Sequence, residues 1–117
     1  MKNILIIGSG LIGSSVLRAV HARKLSRNIY VYEKSKKNIS VIKKLKFGCK
    51  IINKLDKVSN NFDLIILCTP MSQYKNVITK INKNILNNTI VTDVGSTKES
   101  SSKQVRKLLN KNKIWIP

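Results

Sequence analysis

Runs of apolar residues alternate along the chain with segments in which apolar residues recur at helical spacing. The runs predict six strands, at residues 3–7, 28–32, 50–52, 63–68, 89–92 and 114–116. The first run is almost continuous Ile and Leu and ends at Gly8, which is typical of a strand buried on both faces of a sheet. The third run is short, and we expect it near an edge of the sheet.

The segments between these runs predict helices. Apolar residues recur with the spacing i, i+3, i+4 over about 11–22, 39–45 and 74–85, and again after Gly95. Strands that alternate with helices of roughly ten residues indicate parallel βαβ units with right-handed crossovers. We therefore predict an α/β fold with a single domain over residues 1–117. Its sheet is doubly wound, mainly parallel and of the Rossmann type, with strand order 3-2-1-4-5-6.

Composition agrees with one globular domain. The chain has 117 residues, of which 42% are hydrophobic, and its mean hydropathy is −0.12. No apolar run approaches the roughly 20 residues that cross a bilayer. The apolar run that opens the chain is too short for a signal peptide and leads into a glycine turn. We therefore expect a cytoplasmic protein with no membrane partner.

The charge is strongly positive, with 23 Lys+Arg against 5 Asp+Glu and a formal net charge of +18. Clustered basic residues favour polyanions such as nucleic acid. Here the lysines are spread over the whole chain, and no RNA-binding or zinc-finger signature accompanies them. We interpret them as solvent-facing positions and expect no specific nucleic-acid partner, although weak binding at low salt follows from charge alone.

Few residues are suited to metal binding or proton transfer. Cys49 and Cys68 are too far apart for a CxxC motif, and Cys68 lies in an apolar run, where we expect a small buried hydrophobe. His21 is the single histidine. We expect no metal site and few choices for a general base.

A glycine motif follows the first predicted strand and opens the first predicted helix. It reads G-x-G-x-x-G and consists of Gly8, Ser9, Gly10, Leu11, Ile12 and Gly13. Gly8 permits a tight turn, Gly10 lets the backbone approach a pyrophosphate, and Gly13 lets the helix pack closely on the strand. The helix N-terminus offers unpaired N–H groups to a diphosphate. These residues are predicted to bind a dinucleotide.

An acidic residue lies at the position where a dinucleotide-binding site has a carboxylate for the ribose. Glu33 ends the second strand, about 20 residues after the last glycine, where a carboxylate can accept both ribose hydroxyls. A carboxylate repels a 2′-phosphate, so we favour NAD. Lys34, Lys36 and Lys37 follow at once and could neutralise a phosphate, which leaves NADP open; Lys34 is included among the predicted cofactor contacts.

Two further segments reach the same edge of the sheet. Thr69 and Pro70 end the fourth strand and are placed to line the nicotinamide-ribose side; equally, Thr69 could cap the next helix and Pro70 start it. After the fifth strand, Ser96 and Glu99 form a capping box. The functional interpretation adds that the Ser96 hydroxyl projects over the reactive end of the cofactor.

Together these motifs resemble the N-terminal half of the prephenate/arogenate dehydrogenases. The resemblance rests on the glycine motif with Ser14 and Ser15, on Glu33, on the Thr-Pro pair, and above all on the segment TDVGSTK at 92–98. It implies oxidative decarboxylation of prephenate or arogenate, with hydride transfer to NAD(P)+, in tyrosine biosynthesis. It also implies that Ser96 contacts the catalytic histidine and the substrate hydroxyl.

In that family the histidine lies in a G-H-P motif just beyond the strand that matches 114–116, and a helical second domain supplies a substrate-binding arginine and the dimer interface. The sequence ends at Pro117, before such a motif. We therefore expect cofactor binding without full activity, with a second chain as one way to supply the helical domain. The alternatives are another small-substrate NAD(P)-dependent dehydrogenase domain and a basic nucleic-acid-binding module.

Overall fold

The computed structural model describes residues 2–8, 11–45, 48–52, 54, 62–84, 89–94 and 114–115. Its strands are β1 (Asn3–Ile7), β2 (Asn28–Tyr32), β3 (Lys50–Ile52), β4 (Leu64–Leu67), β5 (Ile90–Asp93) and β6 (Ile114–Trp115). Its helices are α1 (Leu11–Ala22), α2 (Lys36–Leu45), a short 3-10 helix (Met71–Gln73) and α3 (Tyr74–Asn84). The predicted elements agree to within a few residues. The helix predicted after Gly95 lies outside the described residues.

The strands form one sheet in the order β3-β2-β1-β4-β5-β6, and every recorded pairing is parallel. The predicted topology and the edge position of β3 are confirmed. In register, Ile7 pairs with Tyr32 on one side and with Leu67 on the other. The carboxyl ends of β1, β2 and β4 are therefore level, at the point where the strand order reverses and ligands bind in such sheets.

Both faces of the sheet are buried, which explains the continuous apolar sequence of β1. Leu5 and Ile7 pack with the apolar side chains of α3 in one core cluster. Ile4 and Ile6 pack with side chains of α1 and α2 in the other. Within the described part of the chain, no helix is both long and apolar enough to cross a membrane.

Helix α1 ends in a Schellman motif with a lysine at the left-handed position. The N–H of Lys24 donates to the His21 carbonyl and the N–H of Leu25 donates to the Val20 carbonyl, each at 3.2 Å. Lys24 has φ +51°, a conformation that glycine adopts without the steric cost of a Cβ. The turn therefore holds a strained residue.

A carboxylate ties β1 to β4 at the amino edge of the sheet. Oδ2 of Asp63 accepts the N–H groups of Lys2 at 2.8 Å and Asn3 at 2.9 Å. The hydrogen bond from Asn3 is the main cause that lowers the pKa of Asp63; burial opposes it, and the hydrogen bond from Lys2 and nearby positive charge add to the lowering.

Candidate functional site

The turn after β1 has the geometry that its glycines predict. Gly8 has φ +90°, and its N–H donates to the Tyr32 carbonyl at 2.8 Å. A Cβ on Gly8 would lie 2.9 Å from Thr69 Cγ2, and a Cβ on Gly13 would lie 2.2 Å from the Gly8 carbonyl oxygen. The tight turn and the close packing of α1 are thus confirmed.

Of the other residues in the glycine motif, the structure describes some and not others. Leu11 and Ile12 form the first turn of α1. Ser9 and Gly10, predicted to face a pyrophosphate, lie outside the described residues. The same is true of Ser96 and its capping box with Glu99. Their roles stay predictions.

A cleft of about 220 Å³ opens at the carboxyl edge of the sheet, beside the glycine turn. Its lining residues come from β1, β2, the β2–α2 connection and the segment after β4: Gly8, Tyr32, Glu33, Lys34, Ser35, Thr69, Gln73 and Val77. The cleft brings together four residues predicted from sequence, namely Gly8, Glu33, Lys34 and Thr69. Pro70 is exposed beside it and does not line it.

Glu33 is held in the wall of this cleft. The residue is 9% exposed, and its Oε1 accepts a hydrogen bond of 2.7 Å from the side-chain amide of Asn38. Ser35 caps α2, because its Oγ accepts the backbone N–H of Asn38 at 3.3 Å. Sequence reasoning missed both residues, although a serine directly before a predicted helix is a usable signal for the Ser35 cap; the bond from Asn38 to Glu33 has no such signal.

Thr69 and Pro70 do not begin α3, which is the second of the two roles that the sequence leaves open for them. The 3-10 helix Met71–Gln73 intervenes, and the Gln73 N–H donates to the Pro70 carbonyl at 2.9 Å. The Thr69 hydroxyl is buried and has no hydrogen-bond partner among the described residues, so the capping role predicted for it is wrong. The physical reason is that the Thr69 methyl group packs over the Gly8 turn. An unused hydroxyl is thereby left beside the cleft.

A buried carboxylate lies at the end of β5. Asp93 is 5% exposed, and its Oδ2 accepts a hydrogen bond of 2.7 Å from the Tyr74 hydroxyl. Burial, and then the charge of Asp93, raises the pKa of Cys68 to about 12. Burial also raises the pKa of Tyr74 far above its usual range, with the hydrogen bond to Asp93 adding to the effect. Cys68 is half-buried and packs against the α1 side of the sheet, so it is less buried than the small buried hydrophobe that the sequence predicts.

His21 lies at the opposite edge of the molecule. It is exposed in the last turn of α1 and lines a separate cleft with Lys24 and Arg27. A helix of this length separates its ends by roughly 16 Å, so His21 cannot serve a reaction at the Gly8 end.

Comparison with known proteins connects this geometry to one family. Residues 16–117 match the family described as prephenate dehydrogenase, nucleotide-binding domain. A cyclohexadienyl dehydrogenase from Zymomonas mobilis is 31% identical over 116 residues, which cover 99% of this chain and 39% of that protein.

Two solved structures share the fold. Prephenate dehydrogenase from A. aeolicus, in complex with hydroxyphenyl propionate and NAD+, has a TM-score of 0.84 at 23% identity and covers 98% of this chain and 41% of its own. Arogenate dehydrogenase from Synechocystis has a TM-score of 0.75 at 23% identity, covering 91% and 37%. The chain thus spans about two fifths of the length of these relatives. Since the family match extends over residues 16–117, the chain belongs to the family of prephenate dehydrogenase nucleotide-binding domains.

Proposed function

We propose that residues 1–117 form the NAD-binding domain of a dehydrogenase that oxidatively decarboxylates prephenate or arogenate. The observation that carries the proposal is the cleft at the strand-order reversal, where the Gly8 turn, Glu33 and Thr69 meet. The family match supports the same assignment, and the related A. aeolicus enzyme binds NAD+.

The described residues fit a dinucleotide in two respects. The Gly8 turn leaves no space for a Cβ because Thr69 and the Cys68 backbone lie against it, so the tight turn that a dinucleotide-binding motif needs after β1 is present. The buried, unpartnered Thr69 hydroxyl offers a hydrogen-bonding group at the cleft. In this proposal residues 8–13 hold the diphosphate, and Glu33 accepts the ribose hydroxyls beside Lys34. Thr69, Pro70 and Ser96 lie toward the nicotinamide, which accepts the hydride when the cofactor is bound.

The chain's own residues provide only part of the chemistry. Oxidation of the substrate hydroxyl requires a proton acceptor within hydrogen-bond reach, typically worth about 10² to 10⁴ in rate. His21, the single histidine among the 117 residues, lies at the other edge of the sheet. We therefore infer that the base comes from outside these residues, from a further domain or a second chain, and that Ser96 orients it against the substrate.

Titration of the 117-residue chain with NAD+ and NADP+ at 50 and 200 mM salt tests the proposal. We expect NAD+ to bind more tightly than NADP+, with a dissociation constant that changes little with salt, and we expect Gly10→Ala to abolish binding. If the positive charge instead serves nucleic acid, affinity for a duplex should fall by about 10³ or more over that salt range. Absence of dinucleotide binding would refute the proposal. Prephenate-dependent NADH formation by the chain alone would refute the need for an outside base.

A further inference from the structure

Three lysines follow Glu33 in the sequence, and their positive charge could draw the carboxylate out of the cleft. Lys34, Lys36 and Lys37 follow within four residues and are exposed. A glutamate side chain has several rotatable bonds, and an exposed lysine can attract it into solvent. Charge alone would therefore leave the position of the carboxylate, and its effect on a ligand, undetermined.

Asn38 supplies a specific restraint on that carboxylate. Its side-chain amide donates to Glu33 Oε1 at 2.7 Å, a short distance that indicates a charge-assisted hydrogen bond. The amide is neutral, so it fixes the carboxylate without cancelling its negative charge. A carboxylate has about four acceptor positions, which makes this bond compatible with the acceptance of ribose hydroxyls.

The position of Asn38 is fixed independently of that bond. Ser35 Oγ accepts the backbone N–H of Asn38 at the start of α2, and Ser35 itself lines the cleft. The helix cap thus sets the distance from Asn38 to the end of β2, where Glu33 stands. The cap uses the backbone of Asn38 only, so replacement of its side chain leaves the cap in place.

We propose that Asn38 is a positioning residue for cofactor choice, because it holds Glu33 where the carboxylate favours a ribose 2′-hydroxyl and repels a 2′-phosphate. This inference rests on the proposed function. Without the Asn38 amide, Glu33 can turn toward Lys34, and the penalty against NADP+ falls. The residue acts through Glu33 and needs no contact with the cofactor.

The test is the ratio of NADP+ to NAD+ dissociation constants at one ionic strength. Asn38→Ala and Asn38→Leu, the second similar in size but without a donor, should each lower this ratio about fivefold, as expected for partial loss of one hydrogen bond to a charged group. Glu33→Gln should lower it further, and Asn38→Ala added to Glu33→Gln should change nothing more. Asn76→Ala, an exposed amide on α3, is the matched control and should leave the ratio unchanged.

Three results separate the possible failures. If Asn38→Ala and Asn38→Leu keep the original ratio, the positioning role is wrong while the proposed function stands. The same conclusion follows if Asn38→Ala lowers the ratio as much in the Glu33→Gln variant as it does in the original chain. If both dissociation constants rise together, Asn38 serves only structure, and the inference is again overturned; circular dichroism and urea unfolding check the fold of each variant. If the unchanged chain binds neither dinucleotide, the proposed function itself fails.

Discussion

Replacement of Gly13 by alanine sets two effects of opposite sign against each other. Gly13 lies inside α1, where alanine should stabilise the helix by about 1 kcal/mol through its higher propensity. However, the added Cβ would lie 2.2 Å from the Gly8 carbonyl oxygen and 2.9 Å from its carbonyl carbon, whereas ordinary contact begins near 3.4 Å. The helix and the turn would have to separate by about 1 Å.

The steric effect should win. Overpacking typically costs about 1–3 kcal/mol, and the obstructing atoms here are backbone atoms of a turn already constrained at φ +90°, so we place the cost near 3 kcal/mol. After the gain in propensity, the free energy of unfolding should fall by about 2 kcal/mol, from a total of about 5–15. Displacement of Gly8 should also weaken NAD+ binding beyond what the loss of stability explains.

Urea unfolding of the 117-residue chain measures this change, and a thermal scan should show a midpoint lower by roughly 10 °C. Gly48→Ala is the matched control, since Gly48 has φ +71° but no atom within 4 Å of an added Cβ. That variant should lose about 1 kcal/mol from backbone strain and keep its NAD+ affinity. A Gly13→Ala variant as stable as the original chain would show that the turn and helix are not packed as described.

Three further predictions follow from local geometry and pKa. Lys24→Gly should raise the free energy of unfolding by about 1 kcal/mol by relieving strain at φ +51°, whereas Lys24→Ala, which removes the charged side chain but keeps the Cβ, should not. Because the pKa of Asp63 is lowered in the fold, its stabilisation is full above the ordinary value and is lost as pH falls below it; urea unfolding should find Asp63→Asn less stable than the original at pH 6 but equal near pH 2. With a pKa near 12, Cys68 in a Cys49→Ser variant should resist iodoacetamide at pH 8, and rapid labelling of the folded chain would contradict its burial.

The sequence predicts the centre of the sheet well because β1, β2 and β4 are buried on both faces, so each of their apolar runs has a single interpretation. It predicts the tasks of Gly8 and Gly13 because spacing alone places them at a turn and at a helix contact. It leaves two roles open for Thr69, since a Thr-Pro pair is typical both of a helix start and of a cleft lining. Only the packing of the Thr69 methyl group over Gly8, made across the sheet, decides between them. The bond between Tyr74 and Asp93 joins residues 19 apart and has no local pattern.

The large positive charge affects how readily either cofactor is attracted, whereas the cleft affects which of the two cofactors binds more tightly. Three of the five acidic residues lie in the described part of the chain, and each has a specific hydrogen bond: Glu33 with Asn38, Asp63 with Lys2 and Asn3, and Asp93 with Tyr74. The net charge of +18 attracts any anion over a distance set by salt, so it raises the association rates of both NAD+ and NADP+, and more for NADP+ with its additional phosphate. The difference between the two cofactors is a single phosphate at one position, and Glu33 is a buried carboxylate that lines the cleft. The affinity for NAD+ should therefore change little with salt, and at one ionic strength the ratio of the two dissociation constants should follow the position of the Glu33 carboxylate.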